Sequence, residues 1–135
     1  MVSGSNEEAA PTAAGAKILI VDDDQDTLRG LTLILRKKGG HQVVAASDAV
    51  QAMMVAIREK PDLIVLDIGL PGGNGLQVLR NLKSNVATMC IPVIILTARG
   101  ASLEGEALRA GAEAFFQKPA DADTLLGAVR SALQR

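Results

Sequence analysis

Three consecutive aspartates (Asp22-Asp23-Asp24), a single Asp67, the hydroxyl of Thr97 and the ammonium of Lys118 are the side chains here best suited to chemistry on phosphate. Each comes at the end of a short apolar run: Ile18–Val21, Leu63–Leu66, Val93–Leu96, and Ala112–Phe116 followed by Gln117-Lys118-Pro119. Singly they are ordinary. Asp23 or Asp24 can cap a helix, Asp67 can open a turn before Pro71, Thr97 can end a strand, and Lys118 can sit in water. Brought to one place they behave differently, because crowded carboxylates repel until one takes up a proton or a cation intervenes. An all-oxygen donor set without His or Cys suits Mg²⁺, which keeps several waters and binds through carboxylates and phosphate oxygens. A lysine across the same rim suits a phosphoryl oxygen, and Thr97 can donate to a second. The chemistry is phosphoryl transfer. No GxxxxGK[ST] or GxGxxG loop is present, so the phosphoryl group arrives on something other than a cradled nucleotide.

The elements that must position these groups alternate regularly. The runs named above and a fifth, Gln42–Ala46, are short and continuously apolar, as strands buried on both faces of a parallel sheet are. Between them lie stretches of helical period. Leu28, Leu31 and Leu35 form one stripe closed by Gly39-Gly40, and Ser47 or Asp48 caps a second helix carrying Ala49, Met53 and Ile57. A third, with Leu76, Leu79 and Leu82 inward, follows Pro71-Gly72-Gly73-Asn74-Gly75. A fourth, Ser102 to Ala110, is weakly amphipathic, and a fifth starts near Asp121 with Leu125, Val129 and Leu133. Such alternation predicts an α/β fold, a doubly wound five-stranded parallel sheet with helices on both faces. Ligands of open parallel sheets bind at the carboxyl ends of the strands, where the polar residues fall. The second strand ends blandly on Ser47-Asp48, as an edge strand away from the site does.

Composition excludes several other classes. With 48% hydrophobic and 21% charged residues in 135, the chain can bury one full core. Residues 1–16 carry little to bury and read as a flexible tail; residues 17–135 read as one domain. A net charge of −1 gives no basic face for direct nucleic-acid binding. The single Cys90 and single His41 cannot build a disulfide or a His-rich metal site. Without Trp or Tyr, and with only Phe115 and Phe116, aromatic stacking platforms are poorly supplied. No apolar run approaches the roughly 20 residues of a membrane span, and no secretory order opens the chain, so a cytoplasmic setting is expected.

The residues match a family pattern. Ile18-Leu19-Ile20-Val21-Asp22-Asp23-Asp24, Leu66-Asp67-Ile68-Gly69-Leu70-Pro71 running to Gly75, Leu96-Thr97-Ala98 and Phe115-Phe116-Gln117-Lys118-Pro119 occur in order over residues 17–135. In this the chain resembles the receiver domain of two-component response regulators, of the chemotaxis-type single-domain kind. The resemblance implies a flavodoxin-like fold with strand order 2-1-3-4-5. It implies Asp67 as phosphoacceptor, Asp23 as a direct Mg²⁺ ligand, Asp22 acting mainly through water, and the Gly69 carbonyl completing the protein ligands. Thr97 and Lys118 would bind phosphoryl oxygens, Phe115 would be the aromatic switch partner of Thr97, and Lys118–Pro119 would be cis. The implied partners are a sensor histidine kinase or histidine phosphotransfer protein and a downstream protein target. The implied role is a switch that assists its own phosphorylation and dephosphorylation, not an enzyme. The segment between Thr97 and Gly111 is slightly shorter than is usual in the family and holds Gly100 and Gly105, so a short fourth helix is expected.

Two other classes compete. A haloacid-dehalogenase-like phosphatase would use the DxDGT-like Asp24-Gln25-Asp26-Thr27-Leu28, but its glycine is missing and Asp67 would have no role. A flavodoxin-like electron carrier would set three aspartates against an FMN phosphate. Outside the site, Met53 and Met54 read as helix packing and its margin, Cys90 as a buried or half-buried thiol, and His41 as a turn residue touching water. Arg36-Lys37-Lys38 suits the dipole at a helix end.

Overall fold

A computed structural model describes residues 15–70, 75–98 and 101–134. The proposed tail up to Ala14, the loop 71–74 and Gly100 lie outside them. The first run forms β1 (Lys17–Val21), in which Ile18, Leu19 and Ile20 have no solvent exposure and Val21 has 1%. Such a strand needs cover on both faces, and it receives it. Beyond β1 come α1 (Gln25–Leu33), β2 (Gln42–Ala46), α2 (Ala49–Glu59), β3 (Leu63–Leu66) and α3 (Gly75–Ser84). Then follow β4 (Val93–Thr97), a 3₁₀ turn (Ala101–Leu103), α4 (Glu104–Arg109), β5 (Ala114–Gln117) and α5 (Ala122–Leu133). All strand pairs are parallel, in the order β2-β1-β3-β4-β5.

Alternate side chains of each central strand feed two cores. Leu19, Val21, Ile64, Leu66, Val93 and Ile95 pack under α2, α3 and α4. Ile18, Ile20, Leu63, Val65, Ile94 and Leu96 pack under α1 and α5. Leu28, Leu31 and Leu35 are buried, as are Leu76, Leu79 and Leu82. Asp24, Asp48 and Asp121 cap α1, α2 and α5, each accepting from the backbone amide three residues on. The basic residues Arg36, Lys37 and Lys38 close α1 in a π turn, Ile34–Lys38. The fourth helix is short, six residues without a side-chain cap.

Several local expectations need correction. The fully buried face of α2 is Ala52, Val55 and Ala56; of the expected line, Ala49 and Met53 are partly buried against the core, whereas Ile57 is exposed. That helix is apolar on nearly every side, so periodicity cannot select a face, and the two alanines let it lie close to the sheet. The fifth strand starts at Ala114 rather than Ala112, because Gly111 turns the chain at φ +111° and Glu113 donates its N–H to the Val93 carbonyl before the ladder begins. Leu133 is only partly buried; Ala132 takes the inward position. Cys90 is exposed. Lys83 Nζ donates to the Met89 and Ile91 carbonyls on either side of it, while Thr88 fills the loop's interior.

His41 is buried instead of solvated, with 6% exposure and no partner for Nδ1. The bare Gly39 makes room for its ring, since a Cβ there would stand 2.7 Å from His41 Cδ2 and 3.1 Å from Leu126 Cδ2. Burial holds the imidazole pKa below its ordinary value of 6.5. The unfolded chain therefore binds a proton at a higher pH than the native one does. Stability is full above pH about 6.5 and is lost as pH falls below it toward the native pKa. Urea midpoints should fall from pH 7 to 5.5 in the native protein, and that slope should flatten in His41→Leu. An equal slope in both would assign the loss to other groups.

Candidate functional site

The sheet's strand order reverses at β1, with β2 on one side and β3 on the other, and the two central strands end on acids. Asp22 continues β1 as its amide donates to Ala46 O at 3.1 Å, and Asp67 continues β3 as its amide donates to Val21 O at 2.9 Å. Both side chains are buried, while the neighbouring Asp23 is exposed. Carboxylate oxygens of Asp22, Asp23 and Asp67 all lie within 4.8 Å of one another. Asp24, the third of the run, turns away: its Oδ2 accepts from the Thr27 amide at 2.9 Å and hydroxyl at 2.6 Å. Those bonds hold its carboxyl below the usual range.

Opposite stands Lys118, directly after β5. Its Nζ lies 2.6 Å from Asp22 Oδ2 and 3.3 Å from Asp67 Oδ2. The backbone carries it there, since Lys118 N donates to Thr97 O at 2.8 Å, tying it to the end of β4. The Lys118–Pro119 peptide is cis. Thr97 is fully buried at the same rim. Gly69 is exposed beside Asp67, donating its N–H to Asp67 Oδ1 at 2.8 Å. Phe115 is half-buried on the α2–α3–α4 side and Phe116 on the other.

Charge is unbalanced here. Among the described residues, one ammonium serves two buried carboxylates, with Asp23 adding a third negative group. Burial pushes the Asp22 carboxyl above its ordinary value, and the hydrogen bonds from Lys118 and the Asp24 amide only partly oppose it. Burial also works against the Lys118 ammonium, yet the Asp22 hydrogen bond and the charges of Asp67 and Asp22 outweigh it, so its pKa is raised. A cluster of hard oxygen donors short of positive charge, open to water at Asp23 and Gly69, fits a divalent cation such as Mg²⁺. Sequence reasoning named these residues but not the Lys118–Asp22 ion pair, nor the backbone approach of Gly75 to Ile68. The first joins residues far apart in the chain and the second turns on a missing side chain, so residue types alone announce neither.

A doubly wound sheet with acids at its central strand ends and a lysine one strand beyond Thr97 defines a receiver-type domain. Comparison with known proteins agrees: the response regulator receiver domain model matches residues 18–130. The chain belongs to that family, the receiver domains of two-component systems. Protein PilH of Pseudomonas aeruginosa is 40% identical over 119 residues, 87% of this chain and 98% of PilH. The transcriptional regulatory protein KdpE of Mycobacterium tuberculosis is 37% identical over 87% of this chain, which spans only 51% of KdpE. Among solved structures, the receiver domain of sensor histidine kinase PA1611 from Pseudomonas aeruginosa superposes with a TM-score of 0.81 at 28% identity, covering 90% of this chain and all of that one. That structure holds a magnesium ion coordinated in its active site cleft. Among the described residues, no helix is long and apolar enough to cross a membrane.

Proposed function

We propose that the domain, residues 17–135, is a cytoplasmic switch that takes a phosphoryl group from a phosphohistidine onto Asp67 and then binds a protein target differently. The observation that carries this reading is the convergence of Asp22, Asp23 and Asp67 with the Lys118 ammonium at one rim. Asp22, Asp23, Asp67 and the Gly69 carbonyl would hold Mg²⁺. Bound there, the ion supplies positive charge to the phosphoryl oxygens. An Asp67 carboxylate oxygen forms the bond to phosphorus while the P–N bond of the donor breaks and imidazole leaves with the electron pair. Lys118 neutralises oxygens on which charge spreads, and the Thr97 hydroxyl donates to another. The donor would be a sensor histidine kinase or a histidine phosphotransfer protein.

The acyl phosphate places about two negative charges where the Asp67 carboxylate carried one, in a site already rich in carboxylates. Drawing Thr97 toward it frees space that Phe115 can take, which biases one of two packings. The domain assists its own phosphorylation and dephosphorylation and turns over no separate substrate. The hydrolase reading fails on particular residues: Asp24 is spent on a helix cap and Asp26 pairs with Arg29 on the surface.

The test is intact-mass measurement after incubation with a small phosphodonor such as acetyl phosphate. With Mg²⁺ the mass should rise by one phosphoryl group, and with excess chelator it should not. Equal labelling under chelator would remove the metal from the account, and no labelling with Mg²⁺ would remove the switch.

A further inference from the structure

Gly75 opens α3 and is buried against the loop that follows Asp67. An ideal Cβ on it would collide with Ile68 Cα and stand 2.6 Å from the Ile68 carbonyl carbon and 2.7 Å from its oxygen. These are backbone atoms, which cannot rotate aside as a side chain can. The Gly75 amide also donates to Ile68 O at 3.3 Å. The other end of that same peptide unit is the Gly69 N–H, which donates to Asp67 Oδ1 at 2.8 Å. A peptide unit is planar, so tilting the carbonyl tilts the N–H with it.

We propose that Gly75 is a positioning residue for the acceptor: its bare α-carbon clamps the Ile68–Gly69 peptide, and that peptide aims the Asp67 carboxylate. The inference rests on Asp67 being the phosphoacceptor. With Oδ1 held by Gly69, Oδ2 is the oxygen turned to Lys118. A side chain at position 75 pushes the peptide away and lets the carboxylate swing. Helix propensity alone argues the opposite, since alanine is a better helix residue than glycine.

The experiment compares the native protein, Gly75→Ala and Gly127→Ala. Gly127, within α5, meets nothing nearer than the Arg130 guanidinium at 4.0 Å and reports what an added methyl does where there is space. Labelling rate with acetyl phosphate at saturating Mg²⁺ should fall at least about tenfold in Gly75→Ala, as misplacement of a reacting group by a fraction of an ångström does. Gly127→Ala should label at the native rate. In Gly75→Ala the circular dichroism should stay native while the Gly69 amide resonance moves upfield as its hydrogen bond is lost. Adding Ile68→Ala should not restore the rate, because the collision is with backbone. A native rate in Gly75→Ala, rescue by Ile68→Ala, or an unfolded Gly75→Ala would each overturn the proposal, the last by assigning Gly75 to the fold instead. If the native protein itself is not labelled, it is the phosphoacceptor reading that fails.

Discussion

Asp67→Asn should reduce labelling by a small phosphodonor to background while the protein stays folded. The amide keeps the shape of the carboxylate, and its oxygen can still accept from the Gly69 amide that holds Asp67 Oδ1 at 2.8 Å. What it lacks is the negative, nucleophilic oxygen, so the loss is chemical rather than structural. It also removes one of the crowded acids beside Asp22, whose carboxyl burial already pushes up. The thermal midpoint of the variant without metal should therefore equal or exceed that of the native protein. Intact mass and a melting curve on the same preparation check both halves. Native labelling of Asp67→Asn would move the acceptor elsewhere; a collapsed melting curve would mean the carboxylate supports the fold.

Lys118→Ala separates binding from transfer. The ammonium bridges Asp22 Oδ2 and Asp67 Oδ2 at 2.6 and 3.3 Å, so its removal leaves the acids with less positive charge. Affinity for Mg²⁺, measured by calorimetry, should hold or rise. Transfer should fall by about 100-fold, the usual cost of losing one preorganised group aimed at developing charge. The two readouts must move apart. If Mg²⁺ affinity falls with the rate, the lysine organises the metal site; if neither changes, it has no part in the reaction.

Much of this arrangement is legible in the residue order, for a physical reason. Strands covered on both faces must be apolar throughout, so Ile18–Val21 and Leu63–Leu66 stand out, and the first polar residue after each marks the strand end. Since all five strands are parallel, their ends share one rim, and Asp22, Asp67, Thr97 and Lys118 are brought together by topology alone. What is not legible depends on space rather than on pattern. The apolar surface of α2 leaves its inner face undetermined until the sheet chooses Ala52 and Ala56. The burial of His41 depends on the missing side chain of Gly39, and the outward position of Cys90 on Lys83 drawing in the two carbonyls around it. Gly75 reads as a turn glycine, although its neighbour in space is the Ile68 backbone.

The central claim, that Asp67 carries the phosphoryl group, is tested most directly by trapping the site. Borohydride reduces an aspartyl phosphate to homoserine with release of phosphate, and peptide mass spectrometry then locates the converted residue. After labelling with Mg²⁺ and a phosphodonor, homoserine should be found at position 67. Homoserine at position 22, 23 or 24, or a stable label on serine, threonine or His41, would contradict the account.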